Sequence, residues 1–146
     1  RLGSFEGLQV LELFSGSGAL GLEALSRGAA HCVFVEQDKA ALDALETNIA
    51  KLGAGPQSEI KRGSALMLGP ARKAYDLILM DPPYGTAAGT VALDKLSRLG
   101  WIASGALVSI ETGNREDTIV KGFEIDTTRD IGKARLTLLR PASSSE

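Results

Sequence analysis

Gln9-Val10-Leu11-Glu12-Leu13-Phe14-Ser15-Gly16-Ser17-Gly18-Ala19-Leu20-Gly21 begins as a short apolar run and ends in a glycine loop. The run from Gln9 to Phe14 reads as a buried strand. Ala19 to Arg27 reads as a helix, with Leu20, Leu22, Ala24 and Leu25 offering apolar faces and Gly28 stopping it. Gly16 to Gly21 satisfies G-x-G-x-x-G, in which glycines let the backbone turn sharply and come close to a ligand. Glu36 ends the next apolar run, 18 residues after Gly18. A carboxylate there can accept hydrogen bonds from both ribose hydroxyls of a nucleotide-bearing cofactor. Strand, loop, helix and acid in this order fit NAD and S-adenosylmethionine equally well. A tight turn with no ligand is the bland alternative.

Outward from this stretch, strand and helix patterns alternate. Cys32 to Glu36 is a buried strand, and Asp38 is a plausible N-cap for a helix from Lys39 to Leu52. Ile60 to Arg62 is a weak third strand and Asp76 to Met80 a strong fourth. A helix over Val91 to Leu99 and a fifth strand over Ala106 to Glu111 follow. Phe123 to Asp130 and Ala134 to Arg140 are two strands joined by the turn Ile131-Gly132-Lys133. Alternation predicts a parallel sheet covered on both faces, closed by an antiparallel hairpin. The fold class is therefore α/β. Seven strands with that ending match the class I methyltransferase (Rossmann-like) sheet better than a plain dinucleotide-binding fold. Ligands of such sheets sit at the carboxyl ends of the strands.

The chain has 146 residues, which predicts one domain over residues 1–141 and a polar tail, 142–146, read as disordered. Pro141 is grouped with that polar tail. A single cysteine, Cys32, excludes an internal disulfide and suits a reducing cytoplasm. Its place in an apolar run makes it a packing thiol. No apolar stretch approaches the roughly 20 residues of a membrane span, so no membrane partner is expected. The net charge of -2 does not advertise a nucleic-acid surface, although net charge hides local patches.

Glu12 separates the two cofactors. It interrupts a buried strand four residues before Gly16, where a charge is costly unless paired. A dinucleotide site gives it no task, whereas methyltransferases commonly carry an acid near the methionine end of their cofactor. Capping of nearby amides is the alternative.

Asp81-Pro82-Pro83-Tyr84 directly follows the fourth strand. Prolines lack amide donors and have a nearly fixed φ, so their carbonyls are presented rigidly. A planar amino group could give one N–H to the Asp81 carboxylate and the other to the Pro82 carbonyl, with Tyr84 stacking on the ring. Such a nitrogen is a poor nucleophile, so alignment and electrostatics are the main tasks left to the protein. A bare turn is the alternative for this tetrapeptide.

Together these residues resemble the RsmD family of bacterial 16S rRNA guanine-N2 methyltransferases. The likeness is close along Val10 to Ala29, returns at Asp81 to Tyr84, and includes Glu111 and Gly132. It implies methyl transfer from S-adenosylmethionine, giving S-adenosylhomocysteine, to the position known in that family as guanine 966. It implies cofactor contacts from Glu12, Phe14, Gly16, Ser17, Gly18, Glu36, Gln37, Ser64, Ala65 and Asp81. Asp81, Pro82, Pro83 and Tyr84 would hold the guanine, which must be turned out of its helix. The implied partner is 16S rRNA in the small ribosomal subunit, the implied state a monomer, and no metal is called for. Ser64 stands where many relatives have aspartate, so the adenine contact would rest on the Ala65 backbone. Relatives also begin with an arginine-rich segment before the first strand. This chain, starting at Arg1, is thus read as an N-terminally truncated core with weakened RNA capture.

His31, Glu23 and Trp101 are read as structural. Lys133 and Arg135 beside the hairpin turn could meet phosphates, but a solvated edge is the commoner role. The rival activities are methylation of adenine N6 in DNA or of a glutamine amide. An NAD-dependent oxidoreductase or a non-catalytic cofactor-binding module is more distant, and the former leaves Asp81 to Tyr84 unexplained.

Overall fold

A computed structural model describes residues 5–83, 85–113, 116 and 118–142. The strands are β1 (Gln9–Leu13), β2 (His31–Glu36), β3 (Ser58–Arg62), β4 (Tyr75–Met80), β5 (Ile102–Gly113), β6 (Phe123–Ile131) and β7 (Ala134–Pro141). The helices are α1 (Ala19–Ser26), α2 (Lys39–Lys51) and α3 (Ala88–Arg98). Among the described residues, the strands form one seven-stranded sheet in the order β3-β2-β1-β4-β5-β7-β6. The first five pair in parallel, and β7 is antiparallel to both β5 and β6.

Alternation along the strands builds two cores. Leu11, Leu13, Val33, Val35, Ile78, Met80, Val108 and Ile110 pack on one face with Leu93 and Leu96 of α3. Val10, Cys32, Phe34, Leu77, Leu79 and Leu107 pack on the other with Leu22, Leu45 and Ile49 of α1 and α2. Burial of both faces explains why the central strands read as continuous apolar runs. β3 lies at an edge of the sheet, which is why it is polar and weak in sequence. After β3 the chain crosses back over β2 and β1 to enter β4, and this reversal puts the switch point between β1 and β4.

Several element boundaries differ from expectation, and four of the differences have a clear physical reason. Phe14 is not strand: it takes φ 56 and turns the chain out of β1. α3 begins three residues before Val91, since the Ala88 amide is received by Thr86 Oγ1 at 3.2 Å, and Ala88-Gly89 carry no apolar periodicity. β5 starts at Ile102 rather than Ala106 because a register shift between Tyr75 and Leu77 absorbs the irregular stretch around Gly105. Pro141 is not tail: it pairs with Phe123, and the Ala142 amide donates to Gly122 O at 2.7 Å. Residues 143–146 lie outside the described residues, as does Tyr84. Among the described residues, no helix is long and apolar enough to cross a membrane.

Candidate functional site

β1 delivers the glycine loop. Phe14 is a non-glycine residue in the left-handed region, an uncommon and mildly strained state. Beyond it, Ser15 donates its amide to Val35 O at 3.1 Å and its hydroxyl to Glu12 O at 2.9 Å, so the loop stays tied to β1 and β2. Gly16 has φ +56, and a Cβ there would meet nothing within 4 Å, so bare backbone faces open space. Gly18 and Gly21 serve packing instead. A Cβ on Gly18 would lie 2.3 Å from Leu45 Cδ1, and one on Gly21 would lie 2.5 Å from Phe34 Cε2 and 2.8 Å from Cys32 Sγ. They let α1 sit directly against β2 and α2.

Glu36 latches this loop. Its Oε1 accepts the Gly16 amide at 2.7 Å, and its Oε2 accepts the amides of Gln37 and Asp38 at 3.1 and 3.0 Å. A carboxylate offers about four lone-pair directions. Three amides therefore leave room for one more donor, and accepting from two ribose hydroxyls requires release of an amide.

Glu12 is 2% exposed and accepts the Gly21 amide at 3.1 Å. It thereby caps the first turn of α1, whose N-cap residue Gly18 has no side chain to do so. Burial pushes its pKa from 4.5 to about 8; the Gly21 hydrogen bond opposes the rise, and the charges of Asp81 and Glu36 add to it. Burial, with the nearby Glu12 charge, also pushes the Cys32 thiol far above its ordinary range.

A cleft of about 380 Å³ opens at the carboxyl ends of β1, β2 and β4. Phe14, Gly16, Glu36, Gln37, Ala65, Asp81 and Pro83 line it, and all seven are among the site residues expected from the sequence. Val35, Asp38, Ala41 and Gly63 complete the wall and are not among the site residues expected from the sequence. Asp38 caps α2 by accepting the Ala41 amide at 2.9 Å. Gly63 donates to Glu36 O at 2.9 Å and has φ +151; the sequence shows there only a glycine after Arg62, which does not by itself mark a cleft residue. Glu12, Ser17, Gly18, Ser64 and Pro82 are not on this wall. Ser17 O receives Asn48 Nδ2 at 3.0 Å, fastening the loop to α2. Ser64 Oγ accepts the Leu66 amide at 3.1 Å, which spends an acceptor on a short 3-10 turn and sets Ala65 at the wall.

Asp81 stands exposed at the end of β4. Partial burial and the charge of Glu111 raise its pKa above the ordinary carboxylate value. Pro82 is buried and Pro83 exposed. Pro82 lines a second cleft of about 340 Å³, together with Gly85, Thr90, Ile110, Thr112, Glu116 and Thr118. Gly89 makes room for it, since a Cβ there would lie 3.0 Å from Pro82 Cγ. The motif thus stands between two clefts, with Asp81 and Pro83 on one and Pro82 on the other.

The other residues singled out from the sequence line neither of these two clefts. Arg135 pairs with Asp130 at 2.7 Å across the hairpin, while Lys133 is exposed on its turn. Glu23 pairs with Arg27 at 2.6 Å on the surface of α1. Trp101 is buried, stacks on Tyr75 with ring centroids 5.7 Å apart, and donates to Gly69 O at 2.8 Å. Among the described residues, no group of three His, Cys, Asp or Glu side chains could hold a metal.

Comparison with known proteins agrees with this architecture. Residues 3–140 match the family described as conserved hypothetical protein 95. The chain is 36% identical over 140 residues to ribosomal RNA small subunit methyltransferase D of Escherichia coli K12, covering 94% of this chain and 71% of that protein. It is 34% identical over 110 residues to the protein of the same name from Buchnera aphidicola subsp. Baizongia pistaciae, covering 75% and 56%. In structure, a candidate methylase of Haemophilus influenzae superposes with TM-score 0.86 at 26% identity, covering 95% of this chain and 89% of that one. A candidate methyltransferase of Escherichia coli superposes with TM-score 0.85 at 29% identity, covering 96% and 78%.

Proposed function

Because this chain belongs to the conserved hypothetical protein 95 family, the RsmD family of small-subunit rRNA methyltransferases, we propose that it methylates the exocyclic N2 amino group of a guanine in 16S rRNA. The observation that carries this reading is the placement of Asp81-Pro82-Pro83 between two clefts at the carboxyl end of β4. One cleft takes S-adenosylmethionine and the other takes the base.

The first cleft suits that cofactor. Its volume falls in the usual range for small-molecule sites. Bare backbone at Gly16 allows close approach, and Glu36 offers a carboxylate to ribose. The Ala65 backbone and Gln37 flank the adenine side, and Phe14 adds an aromatic wall. Glu12, buried behind the loop, acts toward the methionine end indirectly, by holding the start of α1 through the Gly21 amide. Ser17 and Gly18 shape the loop, and Ser64 sets the turn that presents Ala65. S-adenosylmethionine, when bound, supplies an electrophilic methyl group.

The chain's own residues then align the acceptor. The Asp81 carboxylate takes one N–H of the guanine amino group and the Pro82 carbonyl takes the other. These bonds turn the nitrogen lone pair out of the ring plane and face the positive charge that grows on the base. Pro83 stiffens the turn, and Tyr84 is assigned the stacking face. The guanine is turned out of its helix to reach them. The chain acts in the cytoplasm on the small ribosomal subunit, as a monomer.

Calorimetry with S-adenosylhomocysteine and with NAD tests the cofactor half of the proposal. Binding of the first and indifference to the second are expected, and preference for NAD would end the methyltransferase reading.

A further inference from the structure

The turn that follows Asp81-Pro82-Pro83 is tied to β5 by one carboxylate. Oε2 of Glu116 accepts the Gly85 amide at 2.9 Å and the Gly113 amide at 3.0 Å. Gly85 comes directly after the tetrapeptide, and Gly113 ends β5. Gly85 holds φ +73, so the direction of its amide depends on a left-handed backbone.

Glu116 is itself held at both ends of its backbone. Its amide donates to Gly113 O at 3.0 Å, and its carbonyl accepts from Arg135 Nη1 at 3.3 Å. Arg135 is fixed in turn by Asp130, with Nε donating to Oδ1 at 2.7 Å. A continuous set of contacts therefore runs from the β6–β7 hairpin, through Glu116, to the turn beyond the prolines.

Prolines fix φ within this turn, yet they do not fix how the turn as a whole sits above the sheet. β4 anchors its entry at Met80, which pairs with Leu13 and Ile110. Its exit needs a second fixed point, and charge-assisted bonds from Glu116 supply one, being roughly twice as strong as neutral ones. Glu116 also borders the same cleft as Pro82.

We propose that Glu116 is a positioning residue for methyl transfer, holding Asp81-Pro82-Pro83 at the height where the acceptors of Asp81 and Pro82 meet the amino group of the base. The proposal rests on the methyl-transfer reading above. Glu116 is given no contact with cofactor and acts through the Gly85 amide.

The test compares Glu116→Ala and Glu116→Gln in the full chain. Three quantities are read: kcat on small-subunit rRNA, affinity for S-adenosylhomocysteine, and amide exchange at Gly85 and Gly113. Misplacement of a reacting group by about 1 Å can cost on the order of 10²-fold in rate. Glu116→Ala should therefore lose about that factor in kcat, keep its cofactor affinity, and exchange both amides faster. Glu116→Gln keeps an oxygen acceptor and should recover most of the rate and the protection. An alanine variant with unchanged kcat would overturn the proposal. So would equal losses of kcat and cofactor affinity, or a glutamine variant as impaired as alanine. If the unaltered chain transfers no methyl group, the functional reading fails by itself. Amide exchange then still decides the tether: faster exchange in the alanine variant supports it, and unchanged exchange overturns it.

Discussion

The Glu36 carboxylate at the end of β2 accepts the Gly16 amide at 2.7 Å, locking the glycine loop to the neighbouring strand. The same side chain is the acceptor offered to a cofactor ribose, so loop geometry and ligand affinity share one group. Glu36→Ala removes both. Hydrogen bonds to charged groups contribute about 1.5–3 kcal/mol. Affinity for S-adenosylhomocysteine should fall on the order of tenfold to a hundredfold by calorimetry, and an unchanged affinity would remove Glu36 from the site.

Gly21 gives α1 its close seat on β2. A Cβ there would fall 2.5 Å from Phe34 Cε2 and 2.8 Å from both Cys32 Sγ and Glu12 Oε1. Helix propensity favours alanine by about 1 kcal/mol, while overpacking costs about 1–3 kcal/mol. Crowding against a ring, a buried thiol and a buried carboxyl should win. Gly21→Ala is expected to unfold at lower urea concentration than the parent chain, and equal or greater stability would refute the packing role.

Glu12 makes stability depend on pH. Its pKa is raised from 4.5 to about 8 by burial, with the Asp81 and Glu36 charges adding to the rise and the Gly21 hydrogen bond opposing it. Over that interval the folded chain keeps a proton that the unfolded chain has released. Its contribution is therefore full below about pH 4.5 and is lost as pH rises through about 8. Glu12→Gln keeps an acceptor for Gly21 without the titration. Urea unfolding across this range should show the variant gaining on the parent as pH rises, whereas parallel curves would contradict the assignment.

Asp81 is raised above the ordinary carboxylate value by partial burial and by Glu111. Ionised, it accepts an N–H most strongly and faces the positive charge growing on the base, so turnover should fall on the acid side at a pH above that of a free carboxylate. Asp81→Ala should reduce kcat about 10²-fold to 10³-fold while S-adenosylhomocysteine still binds. Unimpaired turnover in that variant would remove the mechanism.

Cys32 is 0% exposed, and its thiol is pushed upward by burial. A reactive thiolate is therefore absent under native conditions. Alkylation by iodoacetamide should proceed only as the chain unfolds, and rapid labelling of the native protein would contradict this.

Much of this architecture was legible because its signals are local. Gln9–Leu13 and Tyr75–Met80 carry apolar runs, and the glycines and prolines that follow mark where strands end and ligands approach. The less legible features come from register and tertiary contact. Phe14 leaves its strand through a backbone angle that phenylalanine rarely adopts. Gly63 and Ala41 reach the cleft only once β3 is paired with β2 and α2 is folded back after it, which no local pattern announces. The partner of Glu12 is an amide nine residues on, visible only once α1 is laid against the sheet. Glu116 carries no motif, and its task follows from the meeting of Gly85 with Gly113.

Product mapping tests the central claim most directly. The chain is incubated with labelled S-adenosylmethionine and small ribosomal subunits or naked 16S rRNA, and the modified nucleosides are identified by mass. N2-methylguanosine at a single position is the expected product. Label in adenine or in ribosomal protein would contradict the account.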